Sequence, residues 1–292
     1  MKFTKLHGTG NDFVLLEGNE AQRDWSQLAM AMCDRHFGIG ADGLVVLLPS
    51  KVARFRMRVF DPDGTEAEAC GNGLRCLAKY VLEKGLISVG TDPLFIETVA
   101  GVRKVKFHQQ GGKPLTIQAA MGKPEFRADV IPVVIDQGRG RVVDIKSMLS
   151  YPVTVDGTDL VLNLVSMGNP HAVCFWQRPV SDFPLSQLGP KVEHHKIFPS
   201  RVNFEVARVL SRNKIEARVW ERGVGETLAC GSGACAIAVA AQLHDYIGNK
   251  VDIKLPGGTL GVEWDGAGEV FLSGPAKIVF SGEWSNENVA TG

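Results

Sequence analysis

The feature that most restricts how this chain can fold is a repeat with one spacing. Arg58-Val59-Phe60-Asp61 returns as Arg218-Val219-Trp220-Glu221, Glu66 returns as Glu226, and Ala69-Cys70-Gly71-Asn72-Gly73 returns as Ala229-Cys230-Gly231-Ser232-Gly233, each 160 positions later. A shorter echo joins Gly10-Asn11-Asp12-Phe13 to Gly168-Asn169-Pro170-His171 at a spacing of 158. Landmarks in the same order at a nearly constant offset mark a two-fold duplication. Solenoid repeats recur every ~20–50 residues, so copies this far apart are two similar domains. Ligands often bind between such domains.

Each copy has a legible local structure. Residues 55–60 and 215–220 alternate charged and apolar side chains, the period-2 signature of a strand with one solvated face. The repeated cysteine follows each strand. Leu74, Leu77, Ala78, Val81 and Leu82 then recur at helical spacing, with Gly85 as the stop, and residues 234–243 are apolar all round, which predicts a helix enclosed by protein. Most other segments (4–6, 14–16, 44–48, 96–99, 103–107, 115–119, 160–166, 251–255 and 270–272) read as short strands, and residues 110–114 as a hairpin turn. Many strands with one buried helix per half predict an α+β fold of sheets curled around a central helix.

Composition excludes several functions. Lys+Arg and Asp+Glu both number 32, so no net field gathers a polyanion, and nucleic acid is not an expected partner. The run 234–243 is half of the ~20 residues a bilayer-spanning helix needs, and no apolar stretch follows the N-terminal basic residues, so neither a membrane span nor a signal peptide is expected. A cytoplasmic protein is the expectation. There the six cysteines, 33, 70, 76, 174, 230 and 235, stay as thiols.

A lone cysteine is more often core packing than chemistry. Cys70 and Cys230 differ because both stand immediately before Gly-x-Gly and a helix. The first N–H groups of a helix are unpaired and carry the positive end of its dipole, so they hold an anion such as a carboxylate, and they favour a thiolate. Two such devices converging on one carboxylate suit inversion at the carbon that bears it. One thiolate removes the α-proton and the other thiol returns a proton from the opposite face, while the helix starts stabilise the charge moving onto the carboxylate.

At these residues the chain resembles the diaminopimelate epimerase family, through Gly8-Thr9-Gly10-Asn11-Asp12-Phe13, residues 38–43, the two cysteine motifs, Gly168-Asn169-Pro170-His171, Arg201-Val202-Asn203-Phe204 and Glu221-Arg222-Gly223. The resemblance implies two pseudo-symmetric domains, each a curled, barrel-like mixed sheet around a central helix. They span residues 1–120, joined by C-terminal strands at 274–292, and residues 121–273. It implies interconversion of LL- and meso-diaminopimelate for lysine and peptidoglycan-precursor synthesis, by a homodimer that uses neither pyridoxal phosphate nor metal. Cys70 and Cys230 take the catalytic roles. Asn11, Asp61, Gly71, Asn72, Asn169, Asn203, Glu221, Arg222, Gly231 and Ser232 take substrate-binding ones, with Arg222 on the distal carboxylate and Glu221 on the ammonium. Asp61 stands where asparagine is common in the family and favours an ammonium when ionised. A racemase of another amino acid, or a non-catalytic binding or redox protein, would use the same thiol pair differently.

His171 is read as either structural or site-supporting. Glu66 and Glu226 are expected to cap the following helix or to position its loop. Gly38-x-Gly40-x-x-Gly43 matches a dinucleotide fingerprint, but residues 25–37 read as a helix and 44–48 as a strand, the reverse of the order that motif requires. Cys76 and Cys235 fall on apolar helix faces without zinc-site spacing.

Overall fold

The computed structural model describes residues 1–19, 23–68, 70–88, 93–108, 115–134 and 148–285. The hairpin turn expected at 110–114, Ala69, and the end of the C-terminal stretch at 286–292 lie outside them. The chain divides into two compact units, Met1–Ala120 with Ser273–Gly292, and Met121–Leu272.

In the first unit the strands are β1 (Lys2–Gly8), β2 (Asn11–Glu17), β3 (Gly43–Leu48), β4 (Phe55–Phe60), β5 (Glu66–Ala67), β6 (Leu94–Thr98), β7 (Gly101–His108) and β8 (Thr116–Ala120). The second contains β9 (Tyr151–Val155), β10 (Thr158–Ser166), β11 (Pro170–Phe175), β12 (Asn203–Ser211), β13 (Lys214–Glu221), β14 (Gly225–Thr227), β15 (Lys250–Leu255) and β16 (Gly258–Glu263). After β17 (Phe271–Gly274), β18 (Lys277–Glu283) returns to pair with β1.

The ladders of the two units match. In the first the order is β18-β1-β2-β3-β4-β6-β7-β8, with parallel joints at β2/β3 and β4/β6. In the second it is β9-β10-β11-β12-β13-β15-β16, with parallel joints at β11/β12 and β13/β15. A parallel joint needs a crossover, and each is spanned by a helix: α1 (Trp25–Cys33), α2 (Gly71–Glu83), α3 (Leu185–Glu193) and α4 (Gly231–Leu243).

These helices cover both faces of each sheet, which is why β3 is apolar and buried throughout rather than alternating. Val45 and Leu47 point to the core built on α2, while Leu44, Val46 and Leu48 point to α1. In the second unit Val173 and Ala207 join the α4 core, whereas Ala172, Cys174, Phe204 and Val206 join the α3 side. Leu74, Leu77, Ala78 and Val81 lie in the first core as their spacing predicts. Each large apolar side chain among them contributes about 2 kcal/mol by burial. The fold is α+β, a curled mixed sheet around a central helix in each unit; β18 and β8, at the two ends of the first ladder, are not paired with each other among the described residues.

One helix is shorter than its periodicity predicts. α1 ends at Cys33, not at Phe37, because the Asp34 carboxylate accepts the backbone N–H groups of His36 and Phe37, both at 2.7 Å. The chain then folds back so tightly that a Cβ on Gly38 would sit 2.3 Å from the Ala31 carbonyl oxygen. α3 has a comparable constraint: a Cβ on Gly189 would meet the Trp220 ring at 2.5 Å. Gly189→Ala is therefore expected to destabilise the protein by about 1–3 kcal/mol through overpacking, read as a lower urea midpoint with an unchanged m-value.

Candidate active site

Each repeated cysteine caps the helix that follows it. Cys70 (φ −141°, ψ 107°) and Cys230 (φ −114°, ψ 120°) are extended N-cap residues, and their sulfurs accept the backbone N–H of Gly73 at 3.3 Å and of Gly233 at 3.4 Å. Serine, threonine or aspartate usually fills this place. A sulfur there lies at the positive end of a 13-residue helix, beside the N–H groups of its first turn. The capped residue is glycine in both units, and a Cβ on it would lie only 3.4 Å from the cysteine sulfur.

The loop leading to each cysteine is clamped in the same way twice. Arg58 donates through Nε and Nη2 to Glu66 at 2.7 and 2.8 Å, and Arg218 donates through Nε and Nη2 to Glu226 at 2.7 and 2.9 Å. Glu66 and Glu226 thus position the loop, and the helix cap is the sulfur itself. Paired charge-assisted bonds fix both distance and orientation, and Arg58 holds the Glu66 carboxyl below its ordinary range.

Burial separates the thiols. It pushes Cys33 and Cys76 up to about 12 and Cys174 to about 11, which makes them inert packing residues. Cys70 is half-buried. Cys230 is buried, and its thiol is raised well above the usual range, first by desolvation and then by the charges of Glu221 and Glu205. The Ser232 hydroxyl and Gly233 N–H pull the other way without overcoming this, so Cys230 holds its proton at neutral pH. Burial also lifts the Glu221 carboxyl, against hydrogen bonds from the Thr227 hydroxyl and the Cys230 thiol.

The expected substrate ligands form local networks. In the first unit Asn72 donates to Asn11 at 2.9 Å, Arg75 donates to Asn72 at 2.6 Å, and Asn11 donates to Asp42 at 2.9 Å. Arg35 bridges Asp42 and Asp12, and with Lys5 it holds the Asp12 carboxyl down at about 2 despite burial. Where Glu221 is the last residue of β13, Asp61 comes one residue after β4. Its carboxyl is raised by burial and by Asp63, and among the described residues its side chain bonds Thr65.

In the second unit Asn203 donates to the Pro170 carbonyl at 2.8 Å and accepts the Arg222 N–H at 2.9 Å, tying two motifs together. Arg222 is exposed and donates to the Ser200 carbonyl. Glu193 accepts from Trp220 Nε1 and from the Gly223 N–H, both at 2.8 Å, and so pins the backbone beside Arg222. His171 is fully buried, with Nδ1 2.7 Å from Glu205 and Nε2 2.8 Å from Asn169.

Glu193 and Glu205 are not singled out by the motifs. A signal for each exists: Ser26-Gln27-Leu28 repeats as Ser186-Gln187-Leu188 at the same offset of 160, which extends the duplication to α1 and α3 and puts Glu193 where the first unit has Cys33. The same offset sets Glu205 opposite Val45, a carboxylate in an apolar strand. Among the described residues no group of three or more His, Cys, Asp or Glu is placed to hold a metal ion, and no helix is long and apolar enough to cross a membrane.

Comparison with known proteins bears on this geometry. A family model described as diaminopimelate epimerase matches residues 3–127 and 163–279. A diaminopimelate epimerase of Acetivibrio thermocellus is 44% identical over 285 residues, covering 97% of this chain and 98% of its own, and one of Desulfovibrio desulfuricans is 46% identical over 287 residues, covering 97% and 98%. Among solved structures, a PhzF-family phenazine biosynthesis protein of Bacillus anthracis has a TM-score of 0.71 at 16% identity, covering 98% of this chain and 99% of its own. A hydroxyproline epimerase of Agrobacterium vitis has a TM-score of 0.71 at 15% identity, covering 97% and 91%. These structural likenesses show the shared fold.

The charges around Cys230 generate a direct expectation. In a Cys70→Ala background, Glu221→Gln removes the nearer negative charge, so the pH midpoint for alkylation of Cys230, followed by mass spectrometry, moves down. An unchanged midpoint would leave burial and the Glu205 charge as the causes.

Proposed function

The chain belongs to the diaminopimelate epimerase family, and we propose that Cys70 and Cys230 carry out the epimerisation of LL- to meso-diaminopimelate as a pair of acid/base thiols. The observation that carries this reading is the doubled cap: one chain places a sulfur at the N-terminus of a buried-faced helix twice, by the same strand, clamp and glycine.

In one direction the Cys70 thiolate takes the α-proton and becomes a thiol. The electron pair left on carbon spreads onto the carboxylate, where the N–H groups of Gly71, Asn72, Gly231 and Ser232 stabilise it. The Cys230 thiol then delivers its proton to the opposite face and becomes a thiolate, which leaves the carbon inverted. Protonated Cys230 suits the free protein to this direction. The reverse direction exchanges the two roles, so the titrations of the pair are coupled.

Asn11 and Asn169 supply amide groups to the substrate. Arg222, steadied by Asn203 and Ser200, takes the distal carboxylate, and Glu221 takes an ammonium. Asp61, whose carboxyl is raised by burial and by Asp63, favours an ammonium of the substrate when ionised. The same proposal makes the protein a cytoplasmic homodimer acting on a small amino acid without cofactor, nucleic acid or membrane. The exposed Ile278, Val279 and Phe280 on β18 support a contact with a second copy.

The test is conversion of LL-diaminopimelate followed by chiral chromatography, alongside a panel of other amino acids. Cys70→Ala and Cys230→Ala are each expected to lower turnover by at least ~10²-fold while substrate binding persists. Undiminished turnover in either variant contradicts the two-thiol reading, and conversion of another amino acid but not diaminopimelate contradicts the substrate.

A further inference from the structure

The two units share a frame but differ in one interior detail. Where β2 and β3 place Phe13 and Val45 in the core against α2, β11 and β12 place His171 and Glu205. Both polar residues are 0% exposed. Glu205 lies directly against the helix start, since a Cβ on Gly233 would come within 2.9 Å of its Oε1, whereas one on Gly73 would meet Val45 at 3.6 Å. Glu205 Oε2 is buried with no partner among the described residues.

Folding does not require this pair. The first unit builds the same ladder over an apolar pair, and replacing a buried ion pair by packed apolar residues is often neutral or stabilising. A half-satisfied buried carboxylate is costly, so its presence in one unit only points to chemistry there. An ionised carboxylate is purely an acceptor, so His171 Nδ1 carries a hydrogen toward Glu205. Nε2 lies 2.8 Å from Asn169 Oδ1, a contact that is a hydrogen bond when Nε2 carries a hydrogen as well. A ring with both N–H groups occupied in this way fixes the amide of Asn169. Its oxygen is held inward, and its Nδ2, with no partner among the described residues, is left for a ligand. A neutral His171 with its hydrogen on Nδ1 would invite the amide to flip and present its oxygen.

We propose that Glu205 is a positioning residue for the epimerisation: acting through His171, it sets the Asn169 amide so that its NH2 group meets the substrate. The proposal rests on the epimerase reading above. Asn11 in the first unit has its amide oriented by another route, its oxygen accepting from Asn72 and its nitrogen donating to Asp42.

The test combines long-range ¹H–¹⁵N spectra of histidine-labelled protein at neutral pH, with His171 assigned by its loss in His171→Phe, and steady-state kinetics on LL-diaminopimelate. The parent is expected to show two protonated nitrogens on His171 and Glu205→Gln only one. The variant's kcat/KM should fall by about 10²-fold, more through KM than through kcat, because Asn169 holds the substrate and does not transfer the proton. The double variant His171→Phe with Glu205→Val copies the apolar pair of the first unit and should melt cooperatively while showing the same kinetic loss. Parental kcat/KM in Glu205→Gln, or a loss of activity with both ring nitrogens still protonated, overturns the proposal. An inactive parent with the expected ring spectra removes the epimerase reading and leaves Glu205's hold on His171 standing.

Discussion

The rest of the structure depends on a weak bond made twice, a backbone N–H in the first turn of a helix donated to a cysteine sulfur. By itself it is a longer and softer contact than an oxygen cap makes. Its value is positional. It holds a nucleophilic, protonatable atom at the positive end of a helix, where a thiolate is stabilised and where the proposed reading puts the substrate carboxylate. Everything near it serves that placement. Glycine at the donating position leaves room for the sulfur, the Arg–Glu clamp fixes the loop, and the curled sheet buries the helix flanks so that its axis cannot shift.

Duplication supplies two thiols, and divergence inside the frame gives them different chemistry. Around Cys230 the second unit gathers Glu221, Glu205 and His171, and burial with negative charge keeps the proton on sulfur. In the first unit the corresponding interior positions are Val45 and Phe13, and the polar network runs instead through Asn11, Asn72 and Arg75. A reversible inversion needs an acid and a base that exchange roles. On the proposed two-thiol reading, building both on one frame and then setting their environments apart assigns a starting proton without changing the geometry of either.

The sequence revealed those features of the fold that repeat or alternate. The 160-residue offset, the strand before each cysteine and the helix after it, and the apolar faces of 74–82 and 234–243 were all readable, because Gly and Cys at matched positions leave a fixed signature. Other features were hidden by the physics that makes them. The outer helices α1 and α3 share Ser-Gln-Leu but otherwise bury different residues, and the spacing slips from 158 to 160 just before them, so the match is easy to pass over. α1 ends early through Asp34, a side-chain contact that periodicity does not encode. Glu66 and Glu226 read as either helix caps or loop anchors, and what decides for the loop is an arginine across a strand pair, which only the ladder brings near. Glu205 was least visible: its meaning comes from pointing inward beside His171, and strand direction appears only in three dimensions.

These elements lead to one claim, that separate thiols act on opposite faces of one carbon. Early-time turnover of LL-diaminopimelate in D2O tests it most directly. The account predicts that the first meso product carries deuterium at the inverted carbon, because the returning proton comes from a solvent-equilibrated second thiol, while unreacted substrate keeps its original hydrogen. Deuterium entering recovered substrate as fast as product would contradict the account, because it would mean that one base removes and returns the proton on either face.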